Sequence, residues 1–491
     1  MALEIVAGTL LALAVVAALA LVLQRRPAAF PLLAIFALPF RLPISADGRT
    51  VNLLIPLYLV VAAGTLVHLL PKWLGRGEGW AWPPAGSGWR AAGAGEDRPG
   101  DAGGPVRGDG RLGRTRGRRG WHWLSARNLE WLLLGAVVLY ALQATYSIDH
   151  AKAAENIAFF YLPFGLLFML LRDVRWSTEL LLACLGVAVG LAILFAGVGF
   201  IEYARKELFL NPKVVAANEY DNYFRVNSAF FDPSIYGRFL ALVMIAITTI
   251  VLWSPRRRDV LIAAAVLAWL LAGLITSFSQ SSLVALLLGL AVLAAYRWDA
   301  LTTVCASVGI VALAGVVLVA APANFHFGLK GSGGSASNAT SGRASLVEGG
   351  LELFADRPLY GYGSGSFEAE YKRHDNTTAE NAVSASHTIP ITVAAEQGIL
   401  GLGLYVALLV CAFAVLFGPA GETSLGRSPP RLGIAACFAA LVLHTWTYAD
   451  FLEDPTTWTL LGIGVALART RPGSSRPREP LAADNPVGVA P

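Results

Sequence analysis

Long apolar runs separated by short polar segments dominate this 491-residue chain. A helix needs about 20 apolar residues to cross the hydrocarbon core of a membrane. Runs that approach or exceed this length lie near 4–23, 28–44, 51–70, 128–146, 155–171, 178–201, 229–253, 259–277, 281–296, 300–321, 387–417, 432–448 and 456–468. The ten-residue alternation that marks membrane β-strands does not occur. The pattern predicts an all-α, polytopic membrane helix bundle with about 12–13 transmembrane helices.

The composition supports this class. Apolar residues make up 55% of the chain and charged residues 14%, whereas soluble domains carry about 25% charge. A soluble enzyme is therefore excluded. The cysteines lie inside apolar runs and show no zinc-ligand spacing, so they are expected to act as small hydrophobic residues; they are Cys184, Cys305, Cys411 and Cys437.

The distribution of Lys and Arg predicts the topology. The net charge of +5 is attributed to cytoplasmic segments and not to nucleic-acid binding. With the amino terminus outside, most Lys and Arg residues fall on the inner side, as the positive-inside rule requires. The opposite orientation would translocate the triplet Arg256–Arg258 and is rejected. We expect a multi-pass protein of the cytoplasmic (inner) membrane, in contact with membrane lipids.

Two long connections divide the chain. The segment 71–127 is rich in Gly and Arg and is expected to be a disordered cytoplasmic loop. The segment 322–386 begins with a Gly- and Ser-rich stretch, continues with helical spacing of apolar residues, and is expected to form a large extracytoplasmic cap. The remaining divisions are transmembrane helices at 1–70, 128–321 and 387–468, and a disordered cytoplasmic tail at 469–491.

Charged residues on the predicted outer side are candidates for chemistry because they oppose the positive-inside bias. Arg225 precedes the sequence Asn-Ser-Ala-Phe-Phe-Asp-Pro-Ser, and Arg343 follows Gly342 at the start of a predicted helix. His387 stands at the start of the run 387–417, and Glu396 follows nine residues later. An intramembrane carboxylate is by default either functional or paired.

The order of these residues resembles the shared signature of the O-antigen ligase and polymerase family. In that family a Gly-Arg pair opens a loop helix, and a Pro-Leu-x-Gly-x-Gly turn, a His, a Glu and a Gly-x-x-Gly pair follow. The matching residues are Gly342, Arg343, Arg357, Pro358, Leu359, Gly361, Gly363, Phe367, His387, Glu396, Gly398 and Gly401. The glycines are interpreted as backbone and packing residues. Arg225 with Phe230, Asp232, Pro233 and Gly237 is similar to an earlier element of the family.

The resemblance implies transfer of a glycan from a polyprenyl diphosphate to an acceptor hydroxyl of a glycan or lipid, at the outer face of the membrane. His387 and Arg343 are then the expected catalytic residues. The expected substrate-binding residues are Arg225, Gln280, Glu396 and Arg357. Arg binds phosphate oxygens bidentately, and His is suited to take a proton near neutral pH. The expected reaction inverts the anomeric carbon and uses no metal or other cofactor.

Two departures from the family pattern bear on the function. Gln280 stands where family members commonly carry Arg, and Thr388 follows the His where many carry Asn. A catalytically silent homologue therefore remains an alternative, as does a transporter or flippase of a lipid-linked glycan. A transporter would need ionisable residues along a path through the bundle, whereas most predicted spans carry none. The sequence does not separate a ligase from a polymerase.

Overall fold

The computed structural model describes residues 2–46, 49–75, 125–209, 224–298, 343–374, 388–418, 429–448 and 450–469. Over these ranges the chain is mostly helical, which confirms the all-α class. The strands in the described part form one antiparallel hairpin of β1 (Leu42–Ala46) and β2 (Arg49–Leu53), in which Leu42 pairs with Leu53. The predicted cytoplasmic loop and tail lie almost entirely outside the described residues.

The helices follow one another through the bundle with short connections. In chain order they are α1 (Ala2–Arg25), α2 (Ala29–Ala37), α3 (Ile55–Gly64), α4 (Leu70–Trp73), α5 (Ala126–Gln143), α6 (His150–Asn156), α7 (Leu162–Arg172), α8 (Thr178–Arg205), α9 (Pro233–Trp253), α10 (Arg257–Thr276), α11 (Gln280–Arg297), α12 (Arg343–Asp356), α13 (Phe367–His374), α14 (Ile389–Phe417), α15 (Pro429–Thr447) and α16 (Pro455–Arg469). Single π-helical turns, at Thr65–Leu69 and Ile157–Tyr161, join α3 to α4 and α6 to α7.

Eight helical segments within the described ranges are long and apolar enough to cross a membrane. They are Val6–Arg25, Ile55–Trp73, His150–Arg172, Thr178–Arg205, Pro233–Trp253, Arg257–Thr276, Gln280–Arg297 and Ile389–Phe417. Helices α5, α15 and α16 pack among them and coincide with further predicted runs. The predicted run 300–321 lies outside the described residues.

The predicted run 28–44 forms only a short helix. Helix α2 has nine residues, which rise about 13 Å at 1.5 Å per residue, less than half of the hydrocarbon core. The hairpin then takes up the following residues. The guanidinium of Arg41 nevertheless lies over the ring of Phe231, 5.2 Å from its centroid, so this segment reaches the end of the bundle where α9 begins.

The two ends of the bundle carry different segments of the chain. The loop end, as we name it, carries the hairpin and residues 224–232, 277–279, 357–366, 448 and 450–454. The opposite end carries residues 173–177 and 254–256 and is tied by ion pairs. Asp173 there accepts hydrogen bonds from His68 at 3.0 Å and Lys72 at 2.7 Å, which joins the segment of α3 and α4 to α7.

The core is formed where α15 packs against α9 and α11, and where α16 packs against α7. Trp458 of α16 and Phe438 of α15 are among its largest fully buried side chains. Trp458 lies edge-on to Phe168 of α7. Helices α9, α15 and α16 thus belong to the packed core, and this packing positions the residues at their loop ends.

Candidate functional site

A glycine-rich turn at 357–367 lies against the broken helix α14. Gly361, Gly363 and Gly365 have φ angles of 67°, 99° and 72°, which side chains rarely adopt. A Cβ atom on Gly361 would lie 2.3 Å from the carbonyl oxygen of Glu396. Glycine is therefore required both for the backbone conformation and for the close approach of the two segments, which confirms the packing role expected of these glycines.

Helix α14 is interrupted at Gly398, where φ is 64° and ψ is −161°. The Ile399 N–H, which in a continuous helix would bond within the helix, donates to the carbonyl of Pro358 at 2.8 Å. The carbonyl of Ala395 accepts from the Tyr362 N–H at 3.2 Å, and that of Glu396 accepts from the Gly363 N–H at 2.8 Å. The backbone of the turn thus forms hydrogen bonds with the N–H and carbonyl groups of α14 that the break leaves without partners inside the helix.

The side chain of Glu396 completes this attachment. Its Oε2 accepts from the Gly365 N–H at 2.9 Å, and its Oε1 accepts from the Phe367 N–H at 3.0 Å. The residue is 7% exposed, and the two backbone donors offset part of the cost of burying its carboxyl group. These contacts are those of a residue that positions the turn, and the assignment of Glu396 to substrate binding stays a prediction.

The end of α5 closes the turn from another side. The side-chain amide of Gln143 donates to the carbonyls of Tyr360 at 3.3 Å and Gln397 at 3.2 Å. The Tyr146 hydroxyl donates to the same Tyr360 carbonyl at 2.7 Å, and the Ser364 hydroxyl donates to the Tyr140 carbonyl at 2.9 Å. The turn is therefore hydrogen-bonded to both α14 and the end of α5.

The remaining residues expected to form the site lie around this end or outside the described part. His387 is outside the described residues, and α14 begins two positions after it. Arg343 is the first residue of α12, and its backbone alone is described. Arg357 is exposed, with its guanidinium over the Tyr362 ring, 4.3 Å from the centroid. Gln280 is exposed at the first position of α11.

Arg225 is held against Ser277, which directly follows α10 and precedes Gln280 by three residues. Its Nε donates to the Ser277 carbonyl at 3.3 Å, and the next residue, Val226, donates through its N–H to the Thr276 carbonyl at 3.2 Å. The fully buried Glu202 accepts from the Ser228 N–H at 2.8 Å. Arg225 thus emerges from a segment anchored at both sides.

A cavity of about 870 Å³ runs through the bundle from the opposite end to the loop end. It lies among α2, α8, α9, α15 and α16, and most of its walls are aliphatic or aromatic. Trp176 and Trp253 line it at the opposite end, whereas Arg41, Arg238 and Asp454 line it at the loop end. An apolar cavity with charge at one end is suited to an elongated amphiphile.

The charged end of this cavity contains a buried ion pair between Arg238 Nη2 and Asp454 Oδ2. Both residues are nearly inaccessible, at 3% and 2% exposed. Arg41, Asp232 and Asp450 interact electrostatically with one another or with the pair. Burial raises the pKa of Asp450, although Arg238 and Arg41 act to lower it. We refer to these five residues as the charged cluster.

Apart from Asp232, the residues of the charged cluster are not predicted from the sequence, although one signal for them is present. Arg238 is a single arginine inside the apolar run 229–253, and an intramembrane charge indicates a functional or paired residue. Its partner Asp454 is far along the chain, at the start of α16, and no local pattern connects the two. Their contact depends on the packing of α9 against α15 and of α15 against α16.

Comparison with known proteins identifies part of the chain. Residues 265–406 match the family model described as O-antigen ligase. The matched region contains α11, α12, the glycine-rich turn and the break at Gly398, so the resemblance seen in the sequence is confirmed. No curated protein sequence matches the chain. Since the match covers under a third of the chain, the cavity and Arg225 lie largely outside it.

Proposed function

Since residues 265–406 carry an O-antigen ligase domain, we propose that this multi-pass membrane protein is a glycosyltransferase of that type. It transfers a glycan from a polyprenyl diphosphate to an acceptor hydroxyl at the extracytoplasmic face of the cytoplasmic membrane. The observation that carries the proposal is the cavity, which joins an apolar interior to the charged cluster at the loop end, the end that also carries Arg225. A lipid-linked anion has the same division into apolar and charged parts.

The proposed reaction needs one base and a site for the leaving diphosphate. The acceptor oxygen attacks the anomeric carbon from the face opposite the diphosphate, and its proton passes to His387. The bond between the anomeric carbon and the diphosphate oxygen breaks, and the polyprenyl diphosphate leaves with that electron pair. Arg343 and Arg225 stabilise the charge on the leaving group through bidentate hydrogen bonds, so the product has the inverted configuration.

The glycine-rich turn supports this site. It connects α12, which begins at Arg343, to α13, and Glu396 fixes it to the segment of α14 that follows His387. We therefore assign Glu396 a positioning role. Arg357 and Gln280 are exposed beside the turn and beside Arg225, where an amide or a guanidinium can donate to sugar hydroxyls. Gln280 supplies hydrogen bonds in place of the charge that an arginine would bring.

Reconstitution of the purified protein with a polyprenyl-diphosphate oligosaccharide tests the proposal. A ladder of products identifies a polymerase and a single conjugate identifies a ligase. The absence of product supports the silent homologue, and movement of the donor across the bilayer without product supports the flippase. Because arginines neutralise the diphosphate in this scheme, we expect the same yield with and without EDTA. Loss of product in EDTA, with recovery in magnesium, would contradict the arginine-based scheme.

A further inference from the structure

In the buried ion pair of the charged cluster, one nitrogen of the Arg238 guanidinium has no hydrogen-bond partner among the described residues. Arg238 uses Nη2 for Asp454, while its Nη1 is buried and has no hydrogen-bond partner among the described residues. A guanidinium remains charged at all physiological pH values, and an unpaired donor of a buried charged group is costly. The position of Arg238 on the wall of the cavity suggests that a ligand completes its hydrogen bonding.

The shape of the cavity defines the class of ligand. From Arg238 the cavity continues between aliphatic side chains such as Leu242 and Ile463 to Trp253 at the opposite end. A ligand that fits must carry an anionic group at one end and a long apolar chain at the other. Phosphate oxygens match the planar donors of a guanidinium.

We infer that Arg238, held by Asp454 and assisted by Arg41, binds the phosphate head of an amphiphile whose chain lies in the cavity. Asp454 is the positioning residue, because it fixes the guanidinium through Nη2 and leaves Nη1 for a phosphate oxygen. When the amphiphile is the donor, Arg238 binds the phosphate next to the polyprenyl chain, while Arg225 and Arg343 bind the phosphate next to the glycan. The inference rests on the proposed function only in identifying the amphiphile as the lipid diphosphate donor.

The carboxyl groups of the cluster limit what can bind. Asp232, Asp450 and Asp454 lie near the two arginines, and ionised carboxylates repel phosphate. Asp454 is neutralised by its pair with Arg238, and the raised pKa of Asp450 favours its uncharged form. Asp232 is hydrogen-bonded to Tyr448. With Asp450 uncharged, the cluster carries two guanidinium and two carboxylate charges, so binding of the head also requires burial of the apolar chain in the cavity, and a free polyanion lacks that chain.

Binding of radiolabelled farnesyl diphosphate to the full-length protein in phosphatidylcholine nanodiscs tests the inference. We expect saturable binding. Farnesol, which lacks the diphosphate, and inorganic diphosphate, which lacks the apolar chain, should each compete at least tenfold more weakly. The paired variant Arg238→Gln/Asp454→Asn removes the charges without leaving one unpaired, and should bind at least tenfold more weakly. Arg431→Gln is the control, since Arg431 is also buried but does not line the cavity, and should bind as the wild type does.

A second variant covers the case in which the paired variant does not fold. Leu242→Trp places a larger side chain on the cavity wall without changing a charge, and should also weaken binding at least tenfold. Wild-type affinity in a folded paired variant, or equal competition by farnesol, would overturn the inference. Equal competition by phosphatidylglycerol would assign the site to a membrane phospholipid and overturn the donor assignment.

The outcomes separate this inference from the proposed function. Glycan transfer with binding that does not depend on Arg238 would refute the inference and leave the function intact. Binding that depends on Arg238, in a protein that transfers no glycan from any donor, would refute the proposed function and leave the inference intact.

Discussion

The backbone of one residue, Gly398, joins the glycine-rich turn to helix α14. Its φ of 64° breaks the helix and exposes carbonyls to which the turn bonds. A Cβ atom at this position would lie 2.5 Å from the carbonyl carbon and oxygen of Leu359. Both the conformation and the available space therefore require glycine, and the requirement comes from a segment about 40 residues away in the chain.

Replacing this glycine should destabilise the protein. Gly398→Ala combines a strained φ with a backbone clash, and we expect a loss of about 1–3 kcal/mol or more in the free energy of unfolding. Gly403→Ala is the control in the same helix, because nothing lies within 4 Å of its Cβ position, and it should be neutral or slightly stabilising. Thermal unfolding of both variants in detergent provides the comparison, and equal midpoints would refute this account of the break.

The positioning role of Glu396 can be tested at the backbone N–H groups of Gly365 and Phe367, which donate hydrogen bonds to its carboxyl group. In Glu396→Gln one carboxylate oxygen becomes an amide nitrogen, so either Gly365 or Phe367 loses its acceptor, at a cost of about 1–3 kcal/mol. We expect faster hydrogen exchange at residues 362–370 and slower glycan transfer. Glu348→Gln, at an exposed position of α12, should leave exchange in the turn unchanged. Unchanged protection in Glu396→Gln would argue against the positioning role.

At the scale of elements, Asp173 ties two transmembrane segments at the opposite end. Burial alone would raise the pKa of Asp173, but hydrogen bonds from His68 and Lys72 and the charge of Arg172 lower this pKa to about 2. A carboxyl whose pKa is lowered on folding stabilises the native state above its unfolded pKa. This contribution is lost as the pH falls through the folded pKa.

We therefore expect Asp173→Asn to lower the free energy of unfolding by about 2 kcal/mol at neutral pH. The difference from the wild type should shrink below about pH 4, as Asp173 of the unfolded wild-type chain begins to take up a proton while the folded carboxyl stays ionised. Glu207→Gln changes an exposed carboxylate and should have no comparable effect. Unfolding followed from pH 7 down to pH 3 measures both, and a constant difference across this range would contradict the assignment.

The elements differ in how far the sequence predicts them. Helices α8, α9, α10 and α11 coincide with apolar runs, because a membrane span is decided by local hydropathy. Helix α2 is shorter than its run, since the hairpin competes for the same residues. The break at Gly398 and the pairing of Arg238 with Asp454 could not be predicted, because each depends on a partner distant in sequence.

At the scale of the whole molecule, the orientation in the membrane remains a prediction from charge. Cysteine introduced at Ser335, in the predicted cap, should react with a membrane-impermeant reagent added from outside. Cysteine at Ser87, in the predicted cytoplasmic loop, should react only after the membrane is made permeable. Reaction at position 87 and not at 335 in intact cells would reverse the topology and place the loop end inside.

The whole account depends on a division of labour in which the arginines and the cavity hold the donor and His387 takes the acceptor proton. Arg343 is the first residue of α12, and His387 precedes the first residue of α14 by two positions in the chain, so each is at or near the boundary of a helix. Replacement of either should therefore leave the fold intact. Arg343→Ala should weaken donor binding, and Arg343→Lys should recover little of it because an ammonium lacks the bidentate geometry.

The single-turnover rate of glycan transfer by His387→Ala, measured together with its affinity for the polyprenyl-diphosphate glycan, is the most direct test. Loss of a general base commonly costs about 10²–10⁴-fold in rate. The account predicts a loss of this size in His387→Ala, with donor affinity equal to that of the wild type. Transfer at the wild-type rate by His387→Ala would contradict it.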